Sequence, residues 1–389
     1  MQTADAVVIG AGINGAATAY NLVKRGLRKV ILLEKYLIAS GGTGRSAAIV
    51  RQHYSNPELV QMVKRSVQLF RHFQDEIGGD PGFVACGWAF LVPGYATDAF
   101  DRNMDLLKRF DIETQQISQE DLKQIEPRFN LADVHRIAYE PGSGYADPHA
   151  TTYAYVRRFR DLGGELKQTT SACGLTIEHG KVTGVTTDGG PIATNIVVNA
   201  AGPWADRVGQ WAGLKIPIDV TREQEVLLET ADAGGPPRIV CSDMAKAIYY
   251  RPDGLTRTIL GRGYPKEYEQ VYPDHYHDRA DPQFIEEAGT RLMERIPAFD
   301  KALVISSYCG LYDVTPDWHP ILGRVAEPEG LVLCAGFSGH GFKLGPAIGE
   351  LMAEEIVDGK ASSVDISRFA LSRFEQSTPF EAAYGGNRA

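Results

Sequence analysis

The chain has 389 residues, of which 43% are apolar, and a formal net charge of −9. The length suits two domains or one large interleaved pair around a sizeable core, and the acidic balance argues against nucleic acid as a general partner. No run of about twenty apolar residues marks a membrane span. The first strand lies so near Met1 that no signal peptide is expected, and these signs together point to the cytoplasm. Five cysteines (Cys86, Cys173, Cys241, Cys309, Cys334) are scattered without CxxC spacing. They read as reduced thiols, not as zinc or iron–sulfur ligands.

Residues 5–10 (DAVVIG) form the first predicted strand. The loop Gly10-Ala11-Gly12-Ile13-Asn14-Gly15 follows, then a small-residue helix over about 16–25 and a second strand over 30–33 that ends at Glu34 and Lys35. This order is what a dinucleotide site needs. Gly10 permits the tight turn, Gly12 lets backbone N–H groups approach a pyrophosphate, and Gly15 lets helix and strand pack closely. The helix N-terminus favours the anion, and Glu34 is placed to hold ribose hydroxyls.

The next segment, residues 38–48, is small, polar and glycine-rich, and predicts a second cofactor contact through Gly42, Thr43, Arg45 and Ser46. Residues 57–77 show helical periodicity, with Leu59, Val63, Val67, Phe70 and Phe73 on one face. Lys64, Arg65 and Arg71 read as its solvated side. A strand over 87–92 and a helix from about Ala96 come next. At mid-chain, β-type runs over 181–187 and 192–199 flank the turn Asp188-Gly189-Gly190. The second run enters NAAGPWA, where Ala200, Gly202 and Trp204 place backbone close to a ligand or another strand. Residues 220–307 mix β-type pieces with a helix near 283–295. A buried-strand pattern over 330–336 leads into Gly336-Phe337-Ser338-Gly339-His340-Gly341-Phe342-Lys343, and a helix is predicted over about 346–357. Cofactor-type segments thus sit at the start, middle and end. They predict a discontinuous cofactor domain and a substrate domain made from the intervening pieces.

These segments together resemble the FAD-dependent amine oxidoreductases of the D-amino-acid oxidase, glycine oxidase, sarcosine oxidase and dimethylglycine dehydrogenase type, most of all the β-subunit type of the heteromeric sarcosine oxidases. The resemblance covers nearly the whole chain. It rests on GAGINGAATAYNL near the start, GGTGRSAAIVR at 41–51, GYADP at 144–148, VVNAAGPWA at 197–205, GLYDVTPDWHPILG at 310–323 and AGFSGHGFKLGPAIGE at 335–350. It implies an α/β chain (α+β overall), with a Rossmann-like FAD-binding domain over 1–82, 146–217 and 318–375 interleaved with a mixed-sheet substrate domain over 83–145 and 218–317, and a tail over 376–389.

The resemblance further implies FAD as cofactor and hydride transfer from an amine α-carbon to flavin N5, giving an imine that water hydrolyses. Arg51 and Lys343 match positions that hold the substrate carboxylate. A pair of fixed donors sets both the position and the angle of the substrate. Tyr250 and Tyr312 match tyrosines lining the substrate pocket. His340 falls in a loop that touches the flavin, and the helix after Lys343 aims its positive end at the flavin pyrimidine. Plain structural readings stand beside each of these: an ion pair for Arg51, a solvated lysine for Lys343, core aromatics for the tyrosines and a satisfied histidine for His340. Gly310 stands where some members attach FAD through cysteine, with Cys309 next to it, and Arg45 stands near where others use histidine. FAD is therefore expected to be noncovalent. The stretch 258–262 offers Arg257 or Arg262, but no lysine, where some oxidases activate oxygen. A pocket histidine of sarcosine oxidases falls near Gly263 and Tyr264. The electron acceptor and the particular amine stay open.

The expected partners are a small amino-acid substrate and a second copy or a heteromeric complex. A 2-hydroxy-acid oxidase and an electron-relay subunit are the competing readings. His275-Tyr276-His277 as a metal site and 336–340 as a hydrolase loop are weaker, the latter lacking glycine two residues after the serine.

Overall fold

After a two-residue strand, Gln2–Thr3, the strand β1 (Ala6–Ile9) is buried along its length and runs through a tight turn into α1 (Ile13–Lys24) and then β2 (Val30–Leu33), also fully buried. Unbroken apolar runs of this kind suit parallel strands covered on both faces. In the computed structural model, which describes residues 2–381, 383 and 384, β1 lies parallel between β2 and Val197–Asn199. Leu331–Ala335 extends the sheet beyond Val197–Asn199, Ile321–Arg324 closes that edge antiparallel, and Glu165–Lys167 closes the other beside β2. This six-stranded sheet thus gathers strands from the start, middle and end of the chain.

Helix α1 opens with small residues, Gly15, Ala16, Ala17 and Ala19, because it is enclosed. It packs against Pro148–Asp161 and against α3 (Gly341–Val357), while α2 (Pro57–Arg71) covers α3 from the other side. A Cβ on Gly349 would lie 2.6 Å from Ala17, so α1 and α3 meet backbone to backbone. The predicted apolar face of α2 is buried, and Phe73 joins it from a short helical turn, Phe73–Glu76. Its basic residues are engaged, not merely solvated: Arg65 forms a bidentate pair with Glu350 (both 2.8 Å), Lys64 donates to the Phe110 carbonyl, and Arg71 pairs with Glu113.

A nine-stranded mixed sheet holds β3 (Asp219–Glu229), β4 (Ile248–Asp253), β5 (Arg257–Arg262) and β6 (Leu303–Val314). Strand β3 is flanked by β6 and β5, and β4 lies beyond β5. Val240–Asp243, Trp88–Val92 and Arg136–Glu140 continue the sheet. Helix Pro282–Arg295 seals one face through Phe284, Ala288 and Leu292, against Val226, Leu228, Ile248 and Leu260.

Two predicted boundaries move. The last helix begins at Gly341 rather than near Pro346. A proline at the first helical position is the usual signal, but here Pro346 lies inside. Ser66 repairs the ladder beside it, its Oγ accepting from Ala347 N (3.1 Å) and donating to the Leu344 carbonyl (3.2 Å). The run over 192–199 is two strands in two sheets, Gly190–Ala193 and Val197–Asn199, parted where Thr194 Oγ1 accepts from Ile196 N. Of the predicted tail 376–389, residues 382 and 385–389 lie outside the described residues. Among the described residues no helix is long and apolar enough to cross a membrane.

Candidate active site

The turn after β1 opens a long cleft of about 850 Å³ at the N-terminus of α1. Gly10 has φ +106°, and a Cβ there would fall 2.4 Å from the Ala200 carbonyl oxygen; one on Gly15 would fall 1.9 Å from the Gly10 carbonyl oxygen. Both positions are closed to any side chain. Gly15 therefore lies behind the cleft as a packing residue, while Gly10, Gly12, Ile13 and Asn14 line it. Glu34, at the end of β2, accepts from Ala11 N (3.0 Å) and Tyr36 N (2.8 Å). These bonds fix its carboxylate on the cleft wall and leave lone pairs for ribose hydroxyls.

The glycine-rich segment docks against the start of α1. Thr43 Oγ1 accepts from Ile13 N at the start of α1 (3.1 Å), and Arg45 donates to the Cys309 carbonyl (2.7 Å). Gly42, Thr43, Arg45, Ser46, Ala200, Gly202, Trp204, Gly339 and Gly341 all line the cleft. Gly310 does not: it faces the backbone of Arg45, 3.3 Å from where its Cβ would be. Gly336 is a turn residue with φ +71°, packed against Thr315. At the cleft mouth, Lys35 and Trp204, both expected from sequence, join Asp274 and Arg207, which sequence reasoning passed over. Lys35 Nζ sits 3.5 Å above the Trp204 ring, and Asp274 accepts from Trp204 Nε1 (2.7 Å) and pairs with Lys35 and Arg207. Tyr276 comes from the segment 275–277 read as a weak metal candidate and Asp274 from just before it, and no metal-type cluster occurs among the described residues.

These residues fit FAD. The glycine-rich backbone at a helix start suits a pyrophosphate, Glu34 suits a ribose, and the buried Asn14 Oδ1 has no partner among the described residues. The cleft continues past Leu311, Tyr312 and Phe342, giving room for an extended dinucleotide.

A second, smaller cavity of about 130 Å³ abuts the cleft, the two sharing Ser46, Tyr312 and Gly339. Arg51 and Lys343 both enter it. Arg51 stacks over Tyr54 (4.8 Å) and Trp88 (5.7 Å) and donates to the His53 carbonyl, without an ion pair among the described residues. Lys343, in the first turn of α3, is 8% exposed and likewise has no carboxylate partner among the described residues. Burial, and then the nearby Arg51 charge, hold its pKa well below the ordinary lysine value.

His340 faces the same cavity. Its Nδ1 lies 3.1 Å from the Tyr54 hydroxyl and its Nε2 has no partner among the described residues. Burial pushes its pKa far down, so the ring is neutral. His53, at about 3 for the same reason, is also neutral and lies 3.0 Å from the Tyr384 hydroxyl. Trp88, Phe90, Tyr249, Tyr264, Tyr312 and Tyr384 supply aromatic walls.

Tyr250 is the correction. Strand β4 alternates its side chains between the sheet faces, which sends Tyr249 to the cavity and Tyr250 into the core beneath helix Pro282–Arg295. Tyr250 is fully buried there, edge-on to Phe129. Sequence reading named Tyr250 and not its neighbour; which of the two faces the cavity depends on register, which sequence alone leaves open.

The fold and site define a FAD-binding oxidoreductase, and the chain belongs to the FAD dependent oxidoreductase (DAO) family, which it matches over residues 5–355. It is similar to human mitochondrial sarcosine dehydrogenase, with 29% identity over 97% of this chain and 42% of that protein. It thus spans less than half the length of that relative. It is 27% identical to sarcosine oxidase subunit beta of Arthrobacter sp, over 95% of this chain and 91% of that protein. Among solved structures it is similar to L-proline dehydrogenase from P. horikoshii, with a TM-score of 0.89, 32% identity and coverage of 97% of this chain and 100% of that chain.

Proposed function

We propose that the protein oxidises the C–N bond of a small amino acid whose nitrogen is secondary, N-methylated or part of a ring. The observation that carries this reading is the pair of cations, Arg51 and Lys343, without ion-pair partners among the described residues, in an aromatic-walled cavity that abuts the FAD cleft. FAD, when bound, supplies the two-electron acceptor.

The chain's own residues do the rest. Arg51 and Lys343 bind the substrate carboxylate and fix the angle of its α-carbon toward the cleft. Trp88, Phe90, Tyr249 and Tyr312 exclude water and leave room for an N-alkyl or ring carbon. Neutral His340 adds no competing charge, and its unpartnered Nε2 is open to a neutral hydrogen bond. The N-terminus of α3 begins at the junction of the two cavities, where its dipole favours negative charge. The relatives named for sarcosine and proline support a secondary amine as substrate.

We further propose that FAD is held noncovalently and that the chain divides as read from sequence, with the cofactor domain over 1–82, 146–217 and 318–375. Similarity to a sarcosine oxidase β-subunit also supports a heteromeric complex as the working form. Anaerobic mixing of the FAD-loaded protein with N-methyl, cyclic, primary and hydroxy acids tests the reading. Bleaching by the first two classes supports it. Bleaching by 2-hydroxy acids alone contradicts it.

A further inference from the structure

Behind the cavity wall, four residues lie in register across four neighbouring strands: Tyr308 on β6, Glu225 on β3, Gly261 on β5 and Tyr249 on β4. Glu225 is buried. Its Oε1 accepts from the Tyr249 hydroxyl and its Oε2 from the Tyr308 hydroxyl, each at 3.0 Å. Tyr249 spans a whole strand to make that bond, and only a glycine lets it do so: a Cβ on Gly261 would sit 2.3 Å from the Tyr249 ring and 2.4 Å from its hydroxyl. Tyr249 lines the small cavity and Tyr308 is half-buried, so the carboxylate bridges the cavity wall and a group nearer solvent.

We infer that Glu225 accepts, through the Tyr249 hydroxyl, the proton that the substrate ammonium must lose before its α-carbon can give up hydride. The inference rests on the amine substrate proposed above and assigns its deprotonation. Tyr249 donates its own proton to Glu225, and its oxygen, which also meets the buried Tyr312 hydroxyl, faces the cavity that both tyrosines line and there accepts an N–H from the substrate. In the transfer the ammonium N–H bond breaks as a bond to Tyr249 oxygen forms, and the Tyr249 O–H proton passes to Glu225 Oε1. The amine and the carboxylate both become neutral, and no electrons change carrier. Tyr308, on the other carboxylate oxygen, offers the exit toward solvent.

The surroundings set the working range. Burial raises the Glu225 pKa to about 7, while the bonds from Tyr249 and Tyr308 and the Arg251 charge on β4 oppose that rise. Glu223, on the same strand, adds repulsion, partly spent on its pair with Lys266, and β5 presents only Gly261 at this point. A carboxylate near neutrality is an effective acceptor at ordinary pH.

The test follows anaerobic flavin reduction in the FAD-loaded protein by an amino acid that bleaches the wild type, across pH, in E225Q and Y249F. In the wild type the rate falls as pH drops through about 7, where Glu225 already carries a proton. Both variants are expected to reduce flavin about a hundredfold more slowly near neutral pH, to lose that acid limb, and to approach the wild-type rate at high pH, where the amine arrives already neutral. The dissociation constant of a simple carboxylate lacking an amine should stay unchanged in both. G261A, which displaces the Tyr249 ring, should behave like Y249F. Wild-type rates with an intact acid limb in E225Q and Y249F overturn the inference, as does a parallel loss of carboxylate binding, which would mark a merely structural effect. If no amine bleaches the wild-type flavin, the functional reading itself falls, and this inference with it.

Discussion

Arg51 and Lys343, 292 positions apart in the chain, enter one cavity from the end of a glycine-rich segment and from the first turn of α3, and neither forms an ion pair among the described residues. A buried lysine that feels the charge of a half-buried arginine is costly without an anion between them. If a substrate carboxylate is that anion, Arg51→Ala should weaken binding of simple carboxylate inhibitors about ten- to hundredfold, since a charge-assisted hydrogen bond contributes roughly 1.5–3 kcal/mol. Lys343→Ala should act in the same direction and less, as a point charge rather than a planar fork. Amines without a carboxylate should be nearly indifferent. Titrating flavin absorbance with each inhibitor checks this.

The same cavity predicts a pH dependence. The Lys343 pKa is lowered in the free protein, first by burial and then by Arg51, and a bound carboxylate would raise it. Below the free-protein pKa, inhibitor affinity should not vary with pH. Above it, binding must take up a proton, so the dissociation constant should rise by up to about tenfold per pH unit. Binding titrations in buffers of different ionisation enthalpy would detect that proton uptake. Pairing Lys343→Ala with the wild type should abolish it.

The dinucleotide turn gives a sharper structural expectation. In Gly15→Ala the new Cβ would sit 1.9 Å from the Gly10 carbonyl oxygen, so turn and helix must separate, and the purified protein should carry little flavin. Glu34→Ala strands Ala11 N and Tyr36 N and removes the ribose acceptor. FAD should dissociate at least about tenfold more readily, with little change in substrate saturation once the protein is loaded. Flavin-to-protein absorbance ratios after gel filtration read both.

Covalent attachment is disfavoured by placement. The Cys309 thiol turns toward Arg222, and Gly310 faces Arg45. Precipitation in acid should therefore release the yellow colour into the supernatant. Colour retained by the pellet would contradict noncovalent binding.

Tyr250 offers a contrast with its neighbour. Its hydroxyl is buried beside the Cys241 thiol in the core. Tyr250→Phe should change stability by less than about 1 kcal/mol and leave carboxylate binding untouched, as denaturant melts and inhibitor titrations would show.

What the sequence made legible follows from how locally each feature is encoded. The turn from Gly10 to Gly15 and the acid at Glu34 are set by neighbouring residues and glycine stereochemistry, and the fold brings turn and acid to one cleft. Arg51 and Lys343 were placed through motifs, and the fold brings them together. The choice of Tyr249 over Tyr250 depends on strand register. The row from Tyr308 to Tyr249 depends on pairing among four strands that no local pattern announces, although a glycine at 261 within an apolar strand was a signal of close approach. Pro346 misled because its usual meaning, a helix start, yields here to a tertiary bond from Ser66.

The central claim is that this cavity presents a secondary-amine amino acid to FAD. The most direct measurement is the oxidised-flavin absorbance of the FAD-loaded protein, mixed anaerobically with N-methyl and cyclic amino acids, in the wild type and in Arg51→Ala. Rapid bleaching is expected in the wild type, and in Arg51→Ala a half-saturating substrate concentration about ten- to hundredfold higher. Persistence of the oxidised band with every secondary amino acid, or bleaching that saturates identically in both proteins, would contradict it.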